Sequence, residues 1–187
     1  LLDENIASAC DAAVQRVAAL VGFKLDKVVS REAFEESFNR YLVSDQTCYV
    51  LLGTNGAGKS WAITDAAISR LKITARLLIR GIDFDSGKRL EDIVAGELKR
   101  YSSANWTNSQ YLQKLSSFPH KENQPPFVII LDDLTPIGNI ESYYRNLGRL
   151  VQDCKDAGAK LVVTCQRHAW DFLKLGKDIK QSDIFIS

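Results

Sequence analysis

Apolar positions recur along the start of the chain at spacings of three and four: Ile6, Cys10, Val14, Val17, Leu20 and Val21, with Asp3, Glu4, Asp11 and Arg16 off that stripe. This period marks one face of an α-helix, so residues 3 to 21 are expected to form an amphipathic helix packed on the domain that follows. Gly22 breaks the pattern. A second helix is expected from Ser30, a good N-cap, to about Leu42, with Glu32 and Glu35 in its first turn and Phe34, Phe38, Tyr41 and Leu42 as its apolar face. The pattern then changes to short, nearly continuous apolar runs near residues 48–53, 75–81, 127–132, 160–165 and 183–187. Runs without alternation suit strands buried on both faces of a parallel sheet. Helical spacing fills the gaps: Ser60 to Leu71, Leu90 through Tyr101, Tyr111 through Leu115, Ile140 to Ala157 ending at Gly158, and a short segment after His168. The alternation predicts an α/β fold, a five-stranded parallel sheet with helices on both faces, preceded by an N-terminal helical segment.

Composition narrows the class without naming a function. At 187 residues the chain has room for one domain with a substantial core, and 45% hydrophobic with 25% charged residues is ordinary globular usage. The formal net charge of +1 gives no overall electrostatic footprint, which argues against nucleic acid as a partner. Trp106 with Lys99, Arg100 and Lys114 reads better as a solvated helix face than as a stacking platform, because the charges do not extend into a stripe. No apolar run approaches the length of a membrane span, and a cytoplasmic protein is expected. Cys10, Cys48, Cys154 and Cys165 lie far apart with no C-x-x-C pair, against a zinc site or a disulfide framework. The chain contains no Met, which suggests a piece of a longer polypeptide.

The chemistry concentrates in Gly53-Thr54-Asn55-Gly56-Ala57-Gly58-Lys59-Ser60, which fits G-x-x-x-x-G-K-[ST]. Glycines let such a loop curl until its backbone N–H groups converge on phosphates, and the following helix points its positive end at the same anion. Cys48 to Leu52 supplies the strand before the loop and Ser60 to Leu71 the helix after it, the context the motif requires. The run Gly53 to Ser60, with Trp61 after it, is therefore the expected nucleotide-binding segment of a P-loop NTPase. Lys59 would reach the β- and γ-phosphates and Ser60 would hold Mg²⁺. Downstream, Phe127 to Leu131 delivers Asp132 and Asp133 to a strand end, where ligands bind in open α/β sheets. Asp132 is the expected second Mg²⁺ ligand.

The order of these segments resembles the STAND class of signal-transducing P-loop ATPases, which includes the NB-ARC and NACHT families. Val28-Val29-Ser30-Arg31-Glu32 resembles their hhGRE segment, with Ser30 where Gly is usual. Ile129 to Asp133 resembles their Walker B strand, and Leu161 to Arg167 their hhhTxR strand, with the arginine one position late. The resemblance covers residues 28–187, leaving 1–27 as an N-terminal helix and linker. It implies that the backbone of Val28 and Val29 frames the adenine, a sheet order of 5-1-4-3-2, and an ATP/ADP switch with slow hydrolysis in a larger signalling or antiviral defence protein. It also implies lid, sensor and effector regions elsewhere in the polypeptide and a homo-oligomer on activation. In this scheme Lys59 and the loop bind phosphates, Asp133 orients or deprotonates the attacking water, and Arg167 neutralises charge on the γ-phosphate. Whether Gln166 or Arg167 faces the nucleotide is left open by the sequence. Two rivals stand beside this reading: an AAA+ helicase loader or initiator that binds single-stranded DNA, and a non-catalytic scaffold folded around ADP.

Overall fold

A strand whose residues are all apolar needs cover on both sides, and the chain supplies it with helices between the strands. The computed structural model describes residues 2–24, 31–71, 74–120, 125–134, 140–173 and 184–186. In chain order the helices are α1 (Leu2–Leu20), α2 (Glu32–Leu42), α3 (Lys59–Asp65), α4 (Leu90–Leu98), α5 (Asn108–Ser116), α6 (Ile140–Asp156) and α7 (Arg167–Leu173). The strands are β1 (Cys48–Leu52), β2 (Ala75–Arg80), β3 (Phe127–Asp132), β4 (Lys160–Cys165) and β5 (Ile184–Ile186).

All pairings are parallel, in the order β2-β3-β4-β1-β5. This is the order the resemblance implies, read from the other edge. The five strands expected from the sequence do not contribute equally. Four strands of five or six residues carry the sheet, and the fifth is a three-residue segment on the outer side of β1, joined to Cys48–Val50. An apolar run at a sheet edge has one neighbour to pair with, and among the described residues pairing covers those three positions.

Strand alternation divides the core in two. Ala75, Leu77, Ile79, Phe127, Ile129, Leu131, Leu161 and Val163 face a cluster completed by α4, α5 and α6, through Val94, Leu98, Tyr111, Leu115, Leu147 and Leu150. Leu78, Val128, Ile130, Val162 and Tyr49 face the other side, where Phe38 and Tyr41 of α2 and Ile63 of α3 cover them. Helix α1 belongs to both. Ile6, Ala9, Cys10 and Ala13 enter the first cluster, Val14 and Val17 the second. It covers β2, whose outer edge would otherwise present unpaired backbone groups. Ion pairs from Arg76 to Asp11 at 2.7 Å and from Arg16 to Asp83 at 3.2 Å fasten it there.

Two details depart from the expected helices. Ser30, the expected N-cap of the second helix, lies outside the described residues, and Arg31 occupies that position without a side-chain cap. The expected helix from Ser60 to Leu71 widens after Asp65 into a π-helical turn, Ala66–Arg70, with Leu71 N–H donating to Ala66. Within that turn the Ala67 carbonyl accepts from Arg76 Nε at 2.6 Å, tying the loop's helix to β2.

Candidate nucleotide-binding site

The loop between β1 and α3 turns on two glycines, Gly56 and Gly58, each at φ of 75°. That backbone region strains any residue with a Cβ, so the glycines are needed for the curl. At Gly58 a Cβ would also meet Arg31 Nη2 at 2.2 Å, the end of a flexible side chain that can shift. Arg31 lies over the loop and donates from Nη1 to the Ala57 carbonyl at 2.8 Å. Lys59 is 8% exposed, and its ammonium donates to the loop's own carbonyls, Gly53 and Thr54, at 3.0 Å each. Trp61 leans the other way, donating from Nε1 to the Val21 carbonyl at 3.3 Å with its ring 5.5 Å from Phe23. The chain just after α1 thus braces the first turn of α3.

The strand ends form the opposite wall. Asp132 is 2% exposed at the end of β3, and a carboxylate that deep needs donors. Thr164 of β4, fully buried, supplies one: its hydroxyl donates to Asp132 Oδ1 at 2.6 Å and accepts from the Asp133 N–H at 2.8 Å. Leu134 N–H donates to the Thr164 carbonyl at 2.7 Å. These bonds hold Asp133 at φ 57°, the only non-glycine residue with positive φ among those described. Such a backbone persists where neighbours impose it, and it often marks a functional position. Gly81 presses on the same spot, for a Cβ there would stand 2.3 Å from the Asp133 carbonyl oxygen.

Two cavities meet here. One of about 620 Å³ is lined by the loop and by Arg31, Phe34, Trp61, Asp65 and Asp133. The other, about 490 Å³, is lined by Ser60, Asp132, Asp133, Arg80 and Gly81, with Leu20, Val21 and Ile82. Ser60 and Asp133 line both. The first combines the phosphate loop with the aromatic side chains of Phe34 and Trp61, a lining that suits a nucleotide. Ser60 and Asp132 offer the second a hydroxyl and a carboxylate, the sparse hard-oxygen set that fits Mg²⁺, which keeps most of its waters. No cluster of three or more His, Cys, Asp or Glu that could hold a metal occurs among the described residues. The Cys165 thiol, beneath the loop, is pushed up to about 12 by burial, partly opposed by Lys59, and stays a neutral packing group.

The sequence segments do not all converge. Gln166 reaches the loop, its Nε2 donating to Asn55 Oδ1 at 2.6 Å, whereas Arg167 begins α7 and is exposed. Val28 and Val29, expected to frame the adenine, lie outside the described residues. Sequence reading passed over Thr164, Gly81 and the side chain of Arg31. Thr164 was legible as a lone polar residue inside an apolar strand, while the importance of Gly81 depends on an approach between distant segments.

No family model matches the chain, and no curated protein matches its sequence. Solved structures do. A chain in the structure of Drosophila ORC bound to AT-rich DNA and Cdc6 matches with TM-score 0.52 at 10% identity over 95% of this chain and 57% of that one. A DNA replication initiation factor matches with TM-score 0.49 at 13% identity, covering 88% of this chain and 49% of that one. DnaI matches with TM-score 0.46 at 13% identity, covering 90% of this chain and 89% of that one. The fold is that of P-loop NTPases, and this chain spans little more than half the length of the first of these. The match to a DNA-bound assembly overturns the expectation that nucleic acid is no partner. Net charge was the wrong instrument, since a value of +1 averages the whole surface and says nothing of local contacts. Among the described residues no helix is long and apolar enough to cross a membrane.

Proposed function

We propose that the chain is a P-loop ATPase of the AAA+ initiator or helicase-loader kind, binding ATP and engaging single-stranded DNA. The observation that carries this choice is Gln166. A side-chain amide, not an arginine, reaches from the end of β4 to the phosphate loop, 2.6 Å from Asn55. An amide there suits the loader reading, and the arginine that marked the signalling switch is turned to solvent. The fold likeness to a chain in the DNA-bound Drosophila ORC structure supports the same class.

In this reading residues 28–187 are the nucleotide core, and α1 is built into it. Loop amides from Gly53 to Gly58 and the Lys59 ammonium take the phosphates, with Lys59 leaving the carbonyls of Gly53 and Thr54. Ser60 and Asp132 would hold Mg²⁺, which would supply neutralising charge at the phosphates. Asp133, exposed but held by its backbone, orients the attacking water and takes its proton. Gln166 donates toward the γ-phosphate once Asn55 releases it. An Asp carries the base role, with a shorter reach than Glu, which suits slow turnover. Trp61 and Phe34 flank the base.

The test is binding of a fluorescent single-stranded oligonucleotide with ATP, with ADP and without nucleotide, across a salt titration. Nucleotide-dependent affinity that falls linearly with log salt is expected. No binding at about 50 mM salt would overturn the loader reading. A second reading, the ADP-held signalling switch, draws on Arg31, which brings the segment after Val28 and Val29 onto the loop at Ala57. Stoichiometric co-purified ADP without DNA binding would favour it.

A further inference from the structure

Strand alternation and register put three strand-end side chains in a row on the face that carries α3. Arg76 and Leu78 of β2 point to that face, Arg76 bonding the Ala67 carbonyl beyond α3 and Leu78 joining the core there. Arg80, two residues on, follows them. It is registered opposite Asp132 of β3, beyond which lies Thr164 of β4, bonded to Asp132. Of this row, Arg80 and Asp132 border the cavity of about 490 Å³ that also takes in Ser60 and Asp133.

Asp132 Oδ1 accepts from the Thr164 hydroxyl, whereas Arg80 has no partner among the described residues. It is half-buried and makes no hydrogen bond or ion pair in the described structure, although Asp132 is its registered neighbour. A guanidinium carries five donors and stays charged, so one held partly out of water beside unused space calls for an anionic acceptor. Besides Ser60 and the carboxylates of Asp132 and Asp133, the cavity is walled by Leu20, Val21, Gly81 and Ile82, none of which offers an acceptor side chain. On the nucleotide reading, the neighbouring cavity would bring a phosphate chain from the loop toward Ser60, which lines both spaces.

Resting on the nucleotide reading of the site, we infer that Arg80 binds the terminal phosphate of the triphosphate from the side opposite Lys59. A diphosphate ends short of it. Arg80 therefore separates ATP from ADP, and the end of α1, which walls the same cavity through Leu20 and Val21, lies where that difference is felt.

The test compares ATP and ADP affinity by calorimetry for the wild-type chain, Arg80→Ala and Arg80→Gln, with Mg²⁺ and again in EDTA. Arg80→Gln keeps the packing of the stem while removing the charge. Loss of a charge-assisted bond is expected to weaken ATP about tenfold or more and to leave ADP within about twofold. The ATP loss persists in EDTA if the contact is direct and not exerted through Asp132 and its metal. Equal loss for both nucleotides, or no loss for either, overturns the assignment. A wild-type chain that binds neither nucleotide overturns the phosphate-loop reading itself, whereas ADP binding that survives both substitutions keeps the loop and isolates the question to Arg80.

Discussion

Replacing Thr164 by Val removes one oxygen from the centre of the site and almost no volume. Thr164 is fully buried, so a cavity or a new clash contributes little. What is lost is a donor to Asp132 Oδ1 at 2.6 Å and an acceptor for the Asp133 N–H at 2.8 Å. A buried group left without its partner costs about 1–3 kcal/mol, toward the upper end for a carboxylate. The two bonds share one hydroxyl, so their costs do not simply add, and about 2–4 kcal/mol is expected for the pair. For a chain of this size that lowers Tm by about 4–16 °C. Thr164→Ser keeps the hydroxyl and loses a methyl group, a cost of about 1 kcal/mol. Urea unfolding followed by fluorescence of the three tryptophans gives both values. With Asp133 released from its αL backbone, ATP turnover should fall about a hundredfold, the penalty for a misplacement of about 1 Å, while ADP affinity holds. Equal stability and turnover in Thr164→Val and Thr164→Ser would refute the role given to this hydroxyl.

Gly81→Ala puts a Cβ 2.3 Å from the Asp133 carbonyl oxygen, backbone against backbone, and should cost about 1–3 kcal/mol with a loss of hydrolysis larger than any loss of ADP binding. Gly96→Ala is its control, because a Cβ there meets nothing within 4 Å in a helix, and a gain of about 0.5–1 kcal/mol in urea unfolding is expected. Burial pushes Cys10, Cys48 and Cys165 from the ordinary 9.0 up to about 12. The stability this gives is complete below pH 9 and is lost as pH rises toward 12, by about 1.4 kcal/mol per pH unit per thiol, because the unfolded chain ionises first. A urea midpoint at pH 10.5 no lower than at pH 8 would contradict that burial.

The fold was legible where one residue type did one job. Gly56, Gly58 and Lys59 define the loop by local backbone demands, and the apolar runs of β3 and β4 report burial on both faces without any knowledge of neighbours. Helix α1 was legible as amphipathic, but its stripe does not say that Ile6 and Val17 reach opposite faces of the sheet, a consequence of lying along β2. β5 pairs over Ile184–Ile186, inside the run expected near 183–187, and an apolar run records burial and not how many partners a strand finds. At the site, Asp132 and Asp133 follow from the strand end, while their difference does not. One is buried by Thr164 and the other is turned outward by a left-handed backbone, and both effects come from a strand about thirty residues away. The choice between Gln166 and Arg167 hangs on where β4 ends and α7 begins, a boundary that periodicity locates only to within a residue or two.

The most direct test of the nucleotide reading is titration of the chain and of Lys59→Ala with ATP and Mg²⁺, with thermal unfolding of both as the control for folding. The wild-type chain should bind, and the variant should lose at least about a hundredfold in affinity, because the one buried ammonium of the loop is gone. Unchanged affinity in a folded Lys59→Ala chain would contradict the assignment of Gly53 to Ser60 as a phosphate site, and with it the roles given to Asp132, Asp133 and Gln166.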